Sequence, residues 1–225
     1  TTGYEISPSA TAMKNWESQT YYYNATTITE GDLRGDIGSY ITPESVSIFN
    51  DEEDISYHTT EPFILKYALM SEETAKTISI YRTGLLYLRY AEAVNRAGKP
   101  NLAFATLKNG LSSETMEVDS LVPPHEKYSQ ITEEGGVFYD YVDFEDLVFE
   151  DNIGIHERGC GNVYLSENYV IPELNSLQDS IAWVEDKIVE ELALETAFEG
   201  NRFHDLMRVA MRRNDPSFLA DKVSE

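Results

Sequence analysis

Two stretches of the chain place apolar side chains at the helical period, and two do not. From Ile80, the positions Ile80, Gly84, Tyr87, Ala91 and Val94 recur at steps of four and three, which puts them on one face of a helix ending at Gly98. Pro100 lacks an N–H and suits the first turn of a second helix, predicted to run to about Leu111. Farther on, Asp179 or Ser180 is placed to cap a helix whose positions Ile181, Val184, Ile188 and Leu192 keep the same period. Val189, Ala193 and Ala197 add a second stripe, so that helix needs neighbours on two sides. Gly200 supplies a left-handed stop, and Arg202 to Arg213 is predicted as a further helix that buries Phe203, Leu206, Val209 and Ala210.

The other two stretches are irregular. Residues 1–75 mix Gly, Thr, Ser and Pro with many tyrosines and read as loops with short elements. Residues 112–175 carry Pro123-Pro124, Gly135-Gly136, an aromatic and acidic run from Phe138 to Asp151, and glycines at 154, 159 and 161. An excursion of that length inside a folded chain is commonly functional or interface-forming. The expected architecture is one mainly α domain over 1–225. It comprises a loop-rich region (1–75), a helical hairpin (76–111), a loop insert (112–175) and a C-terminal helical pair (176–225). Helix, glycine turn, helix at this spacing is the tetratricopeptide arrangement. Tyr87, Tyr90, Ala91, Val94, Gly98, Ala103 and Leu107 fill its large, small and glycine places, with Ala91 and Ala103 letting the helices approach. In the second pair Val189, Leu192, Ala193 and Gly200 fit, but Asp205 stands where a small residue belongs and needs a polar partner.

Charge narrows the function. Forty acidic side chains against 17 basic ones give a net charge of -23, a surface that repels nucleic-acid backbones and anionic lipid headgroups. With 41% hydrophobic and 12% aromatic residues the chain has the material for a core. Cys160 is the single cysteine and forms no internal disulfide. No stretch approaches the roughly 20 apolar residues of a membrane helix, and the first ten residues do not resemble a signal peptide. The chain opens without Met and stops at Asp221-Lys222-Val223-Ser224-Glu225, which reads as a fragment.

Two segments carry a resemblance. Tyr87-Leu88-Arg89-Tyr90-Ala91-Glu92-Ala93-Val94-Asn95-Arg96-Ala97-Gly98, with Arg82 before it, resembles the Y-L-x-Y-A-E-A-x-N-x-x-G helix of the SusD/RagB family of bacterial nutrient-binding outer-membrane lipoproteins. Glu190-Glu191-Leu192-Ala193-Leu194-Glu195-Thr196-Ala197-Phe198-Glu199-Gly200-Asn201-Arg202-Phe203-His204-Asp205-Leu206-Met207-Arg208 resembles that family's E-R-x-x-E-x-x-x-E-G-x-R-x-x-D-L-x-R signature, with Leu192 in place of the frequent Arg. Gly31-Asp32-Leu33-Arg34 and Phe63-Ile64-Leu65-Lys66-Tyr67 are similar to its D-x-R and K-Y segments.

The resemblance implies tetratricopeptide-like helices as a scaffold, with loop-rich inserts that bind glycans or peptides. It also implies a seat on a SusC-type TonB-dependent transporter at the cell-surface face of the outer membrane. The membrane link would be a lipidated cysteine at an N-terminus that this chain does not include, and family members are longer at both ends. Within the signature, Glu195 and Glu199 lie one turn apart and Arg202 and Arg208 follow across Gly200. Charge-assisted pairs there are expected to fasten two helices, with Asp205 satisfied by an arginine or by backbone N–H groups.

The residues themselves suggest a ligand face. Trp16, Tyr21, Tyr22 and Tyr23 stand among Asn15, Gln19 and Asn24, and flat rings beside amides are what a sugar ring requires. Trp16, Tyr22, Tyr23 and Asn24 are the candidate contacts to an oligosaccharide or polysaccharide, and an extended Tyr21-Tyr22-Tyr23 sends at least one ring into the core. Tyr139, Tyr141, Phe144 and Phe149 form a second aromatic patch suited to ligand or transporter. Binding without catalysis is expected. Carboxylate pairs such as Glu52/Asp54, Glu145/Asp146 and Glu190/Glu191 would be the raw material of a glycoside hydrolase, yet an acidic surface supplies them by chance. His156 and Arg158 beside Cys160 suggest a thiol nucleophile on paper, but the flanking glycines indicate a tight structural turn. His58, His125, His156 and His204 are scattered, so no metal or other cofactor is expected beyond a weak surface calcium at Asp51-Glu52-Glu53-Asp54 or Glu150-Asp151-Asn152. The competing functions are a tetratricopeptide-type peptide-binding adaptor and, second, a glycoside hydrolase.

Overall fold

A computed structural model of the chain describes residues 6–24, 28–36, 38–43, 61–66, 81–132, 135–162 and 168–224. The protein is mainly α: helices dominate, and the strands among the described residues form only two-stranded ribbons. Ile80, Glu52, Asp54, His58 and Tyr67 lie outside the described residues. The chain divides into two compact units, each assembled from separate segments.

The first unit comprises Thr1–Tyr21, Ile28–Tyr81 and Leu192–Glu225. The irregular N-terminal stretch contains a real helix, α1 (Ala10–Glu17), started by Ser9, whose hydroxyl accepts the Ala12 N–H at 3.1 Å. After the short strands β1 (Thr20–Tyr22) and β2 (Ile28–Glu30) come β3 (Tyr40–Ile41) and β4 (Phe63–Ile64), which pair antiparallel, Tyr40 opposite Ile64 and Ile41 opposite Phe63. One core cluster joins Ile41, Phe63 and Leu65; another joins Trp16, Tyr40 and Leu194, with Ala12, Met13, Ala197 and Phe198 packed on it. Burial, together with the charges of Glu17 and Asp36, pushes the Tyr40 phenol up to about 12, so it stays neutral in the core at physiological pH.

Helix α8 (Arg202–Arg213) has the predicted bounds and buries Leu206, Val209 and Ala210. Phe203, expected on that face, is instead 54% exposed. The helical period fixes the direction of a side chain, not whether an element covers it, and at Phe203 and His204 the first turn of α8 is exposed while Asp205 on the same turn is buried. Helix α9 (Pro216–Ser224) follows, packed on α8 with the Arg213 guanidinium 4.7 Å from the Phe218 ring centroid.

The second unit comprises Tyr22–Thr27 and Arg82–Glu191. Its centre is the predicted hairpin of α2 (Thr83–Arg96) and α3 (Pro100–Lys108), in which Ala91 and Ala103 are fully buried. Small side chains at both places allow the two backbones to come close. The free N–H groups at the start of α3 are met by Glu126, which is fully buried. Its Oε2 accepts the Leu102 N–H at 2.8 Å and its Oε1 accepts Asn101 Nδ2 at 2.6 Å. Glu126 comes from the short helix α5 (Pro124–Lys127), after α4 (Ser113–Glu117). The insert goes on as a hairpin of β5 (Tyr128–Thr132) and β6 (Gly135–Phe138), where the Tyr128 and Phe138 rings stack at 4.9 Å.

Two expectations shift here. His156 to Cys160 is not a turn but a helix, α6 (Ile155–Cys160); Gly159 is tolerated inside it, and only Gly161 ends it. The long helix α7 (Leu177–Glu195) begins earlier than Asp179: the Ser176 hydroxyl accepts the Asp179 N–H at 3.2 Å, making Ser176 the capping residue and Asp179 a first-turn acid. Asn95 in α2 donates to the Ile181 carbonyl at 2.9 Å, a side-chain bond from α2 to the backbone of α7.

Candidate functional site

In the first unit a buried ionic cluster gathers residues far apart in sequence. The Arg34 guanidinium grips Asp32 in bidentate fashion, Nε to Oδ1 at 3.0 Å and Nη2 to Oδ2 at 2.6 Å. Its remaining arm, Nη1, reaches Glu195 Oε2 at 3.1 Å. The Arg34 backbone N–H also donates to Asp32 Oδ1 at 2.8 Å, so the turn presenting the arginine is closed by the same carboxylate. Lys66, just past β4, distributes three contacts: to the Glu195 carbonyl at 3.0 Å, the Ala197 carbonyl at 3.0 Å and Glu199 Oε1 at 2.6 Å. An ammonium has three donors, and a cation is favoured where the last carbonyls of a helix collect partial negative charge. On α8, Arg208 Nη1 meets the buried Asp205 at 2.9 Å.

Glu195, Glu199, Asp205 and Arg208 are thus joined in ion pairs, but the cations on the two glutamates include Arg34 and Lys66, which the signature alone does not supply. Arg202 sits at the start of α8, partly buried. Sequence spacing cannot reveal partners more than 120 residues apart; the available signal was that Asp32, Arg34 and Lys66 lie in the two minor segments that carry the family resemblance. The carboxylates of Asp32, Glu195 and Asp205 are buried, the cations on them are partly buried, and the charges are matched within the cluster, which is the chemistry of a fastening.

The predicted aromatic face is divided. Trp16 is 2% exposed, its ring 5.7 Å from Tyr40 and 5.9 Å from Phe198, so it belongs to the core and presents nothing to a ligand. The ring at position 16 was legible as aromatic, but its side of the helix was not. Tyr22, Tyr23 and Asn24 belong to the second unit, where they lie along the turn after α6. The Asn162 N–H donates to the Tyr22 carbonyl at 2.9 Å, and Asn162 Nδ2 donates to the Tyr23 carbonyl at 2.8 Å. Two main-chain bonds to one asparagine hold the segment where strand gives way to a bend. Tyr23 is 56% exposed and Asn24 is exposed, while neither Tyr21 nor Tyr22 is fully buried, contrary to the expectation of a core ring among the three.

Other candidates resolve in the same unit. Cys160 is fully buried, and His156 is bonded to Glu191 and stacked on Tyr169 with ring centroids 4.1 Å apart. That leaves the thiol no access to substrate. Tyr139 and Tyr141 stack at 5.0 Å beside Lys99, whose ammonium lies 3.9 Å from the Tyr139 centroid, and Tyr90 donates to the Tyr141 carbonyl at 2.7 Å. Phe144 packs edge-on against Tyr90 and Phe149. An open cleft of about 560 Å³ is lined by amides, hydroxyls and carboxylates, among them Asn109, Ser112, Glu114, Glu150, Asn152 and Glu157. Burial pushes the Glu157 carboxyl up, an effect partly offset by a hydrogen bond from the Gly154 backbone. Among the described residues no group of three or more His, Cys, Asp or Glu could hold a metal ion, and no helix is long and apolar enough to cross a membrane. No protein family, curated protein or solved structure matches the chain.

Proposed function

We propose that the chain is part of a SusD/RagB-like surface protein that captures a neutral glycan, leaves it chemically intact and passes it to a SusC-type TonB-dependent transporter. The single observation behind this reading is the meeting of the resemblance's separate segments. Asp32 and Arg34 from the first, Lys66 from the second, and Glu195 and Glu199 from the signature lie in one buried ionic cluster. Residues that share a motif family by sequence thereby share a physical task. In this reading α2 and α3 form a tetratricopeptide-like pair, and the membrane link is a lipid anchor at the outer-membrane surface.

The ligand contacts proposed are Tyr23, Tyr22 and Asn24. An exposed ring beside an amide, on a segment held by Asn162, gives a sugar ring a flat apolar face and a hydrogen-bonding edge. A net charge of -23 favours a neutral glycan over a polyanion. Tyr23→Ala is expected to weaken glycan binding about tenfold, the worth of one stacking contact, while circular dichroism stays that of the parent. Calorimetric titration checks it. Undiminished glycan affinity, or a peptide bound in place of any glycan, would end this reading in favour of an adaptor.

A further inference from the structure

The break between α7 and α8 is narrow and held under strain. Two residues in it have positive φ: Gly200 at φ +79° and Phe198 at φ +65°. For a bulky side chain the latter is an unusual conformation with a conformational cost. Asn201 is already α-helical at φ -82° and ψ -28°, and α8 begins with no side-chain cap and with the cation Arg202 in its first turn. Lys66 donates to the carbonyls of Glu195 and Ala197, the acceptors that would serve the N–H groups of Glu199 and Asn201 if α7 ran on.

The sequence pattern is also that of one unbroken helix. Val189, Leu192, Thr196, Gly200, Phe203, Met207 and Met211 succeed each other at steps of three and four. Val189 and Leu192 are buried, but Phe203 and Met211 are 54% and 74% exposed in the present arrangement. Straightening the break would set those exposed side chains in line with the buried stripe of α7.

We propose that Thr196–Gly200 is a strained hinge clipped by Lys66, and that on release it straightens into a continuous α7–α8 helix which exchanges α8 and α9 with a second copy of the chain. Exchange follows from burial. A straightened helix pulls Leu206, Val209 and Asp205 out of their own unit, and only the equivalent place in another copy covers them again. Short strained hinges are the usual origin of such swaps. At physiological salt the charge of -23 is screened beyond about 8 Å, so two copies can approach.

Two variants test this. Gly200→Ala penalises the left-handed turn and favours helix, and Lys66→Met removes the clip, whereas Lys66→Arg keeps a cation there as control. Each protein is refolded at high concentration and studied by light scattering and circular dichroism. Gly200→Ala and Lys66→Met are expected to show a dimer dissociation constant roughly tenfold or more below that of the parent. That dimer should carry about one extra turn of helix per chain, and Lys66→Arg should behave as the parent. Folded variants that stay as monomeric as the parent, dimers without added helix, or loss of the fold in both would overturn the proposal.

Discussion

Arg34→Ala is expected to lower the free energy of unfolding by about 3–5 kcal/mol, the range for removing one partner of a buried ion pair. The Asp32 side chain is fully buried and the Glu195 side chain nearly so, and Arg34 bonds both, with three of its nitrogens directed at them. Alanine leaves two carboxylates short of their bidentate and bridging donors in a place where water cannot fully substitute. Arg34→Lys should recover only part of the loss, because an ammonium cannot present a planar fork to Asp32 and an extra arm to Glu195. Urea unfolding monitored by circular dichroism reads the effect as a lower midpoint at constant slope. A midpoint within error of the parent for Arg34→Ala would show that the cluster does not fasten the unit.

Gly110→Ala is the second large effect, and it arises in the other unit. Gly110 stands at φ +88° just past α3, and a Cβ there would fall inside the van der Waals shell of the Asn152 carbonyl. Asn152 is not free to retreat: its Oδ1 accepts the Leu111 N–H at 2.8 Å and its Nδ2 donates to Tyr87 Oη at 2.7 Å. The left-handed backbone and the steric overlap each cost roughly 1–3 kcal/mol, and relaxation would break one of those two bonds. Asn152 lines the cleft, so its shape should change as well. Thermal unfolding checks the expectation, and a melting temperature equal to the parent's would mean that this approach is looser than drawn.

Much of the helical scaffold was legible because its signals are local. Stripes at the helical period over 84–94 and 181–192 and Pro100 at a first turn are properties of neighbours within a few residues, whereas Gly200 takes the expected left-handed conformation but does not end α7, which stops earlier, at Glu195. Glycines misled at α6, since 154, 159 and 161 together suggest a turn, yet position 161 alone of the three has positive φ, position 154 is glycine because the backbone of Leu107 and Lys108 leaves no room for a Cβ, and 159 lies inside the helix. What stayed hidden was set by distant partners. Nothing near Glu199 points to Lys66, and nothing near Trp16 says that Tyr40 and Phe198 will close over its ring. The candidate site was therefore half readable: the two rings and the amide of 22–24 stood out by composition, while Asn162, which holds them, carried no signal in the sequence beyond its place after a glycine.

Capture without chemistry is tested most directly by incubating the protein with a panel of neutral oligosaccharides, measuring bound sugar by calorimetry and newly formed reducing ends in the same samples. Saturable binding that weakens in Tyr23→Ala, with reducing ends at the level of a protein-free control, is the expected result. New reducing ends that grow with time, or no binding to any member of the panel, would contradict it.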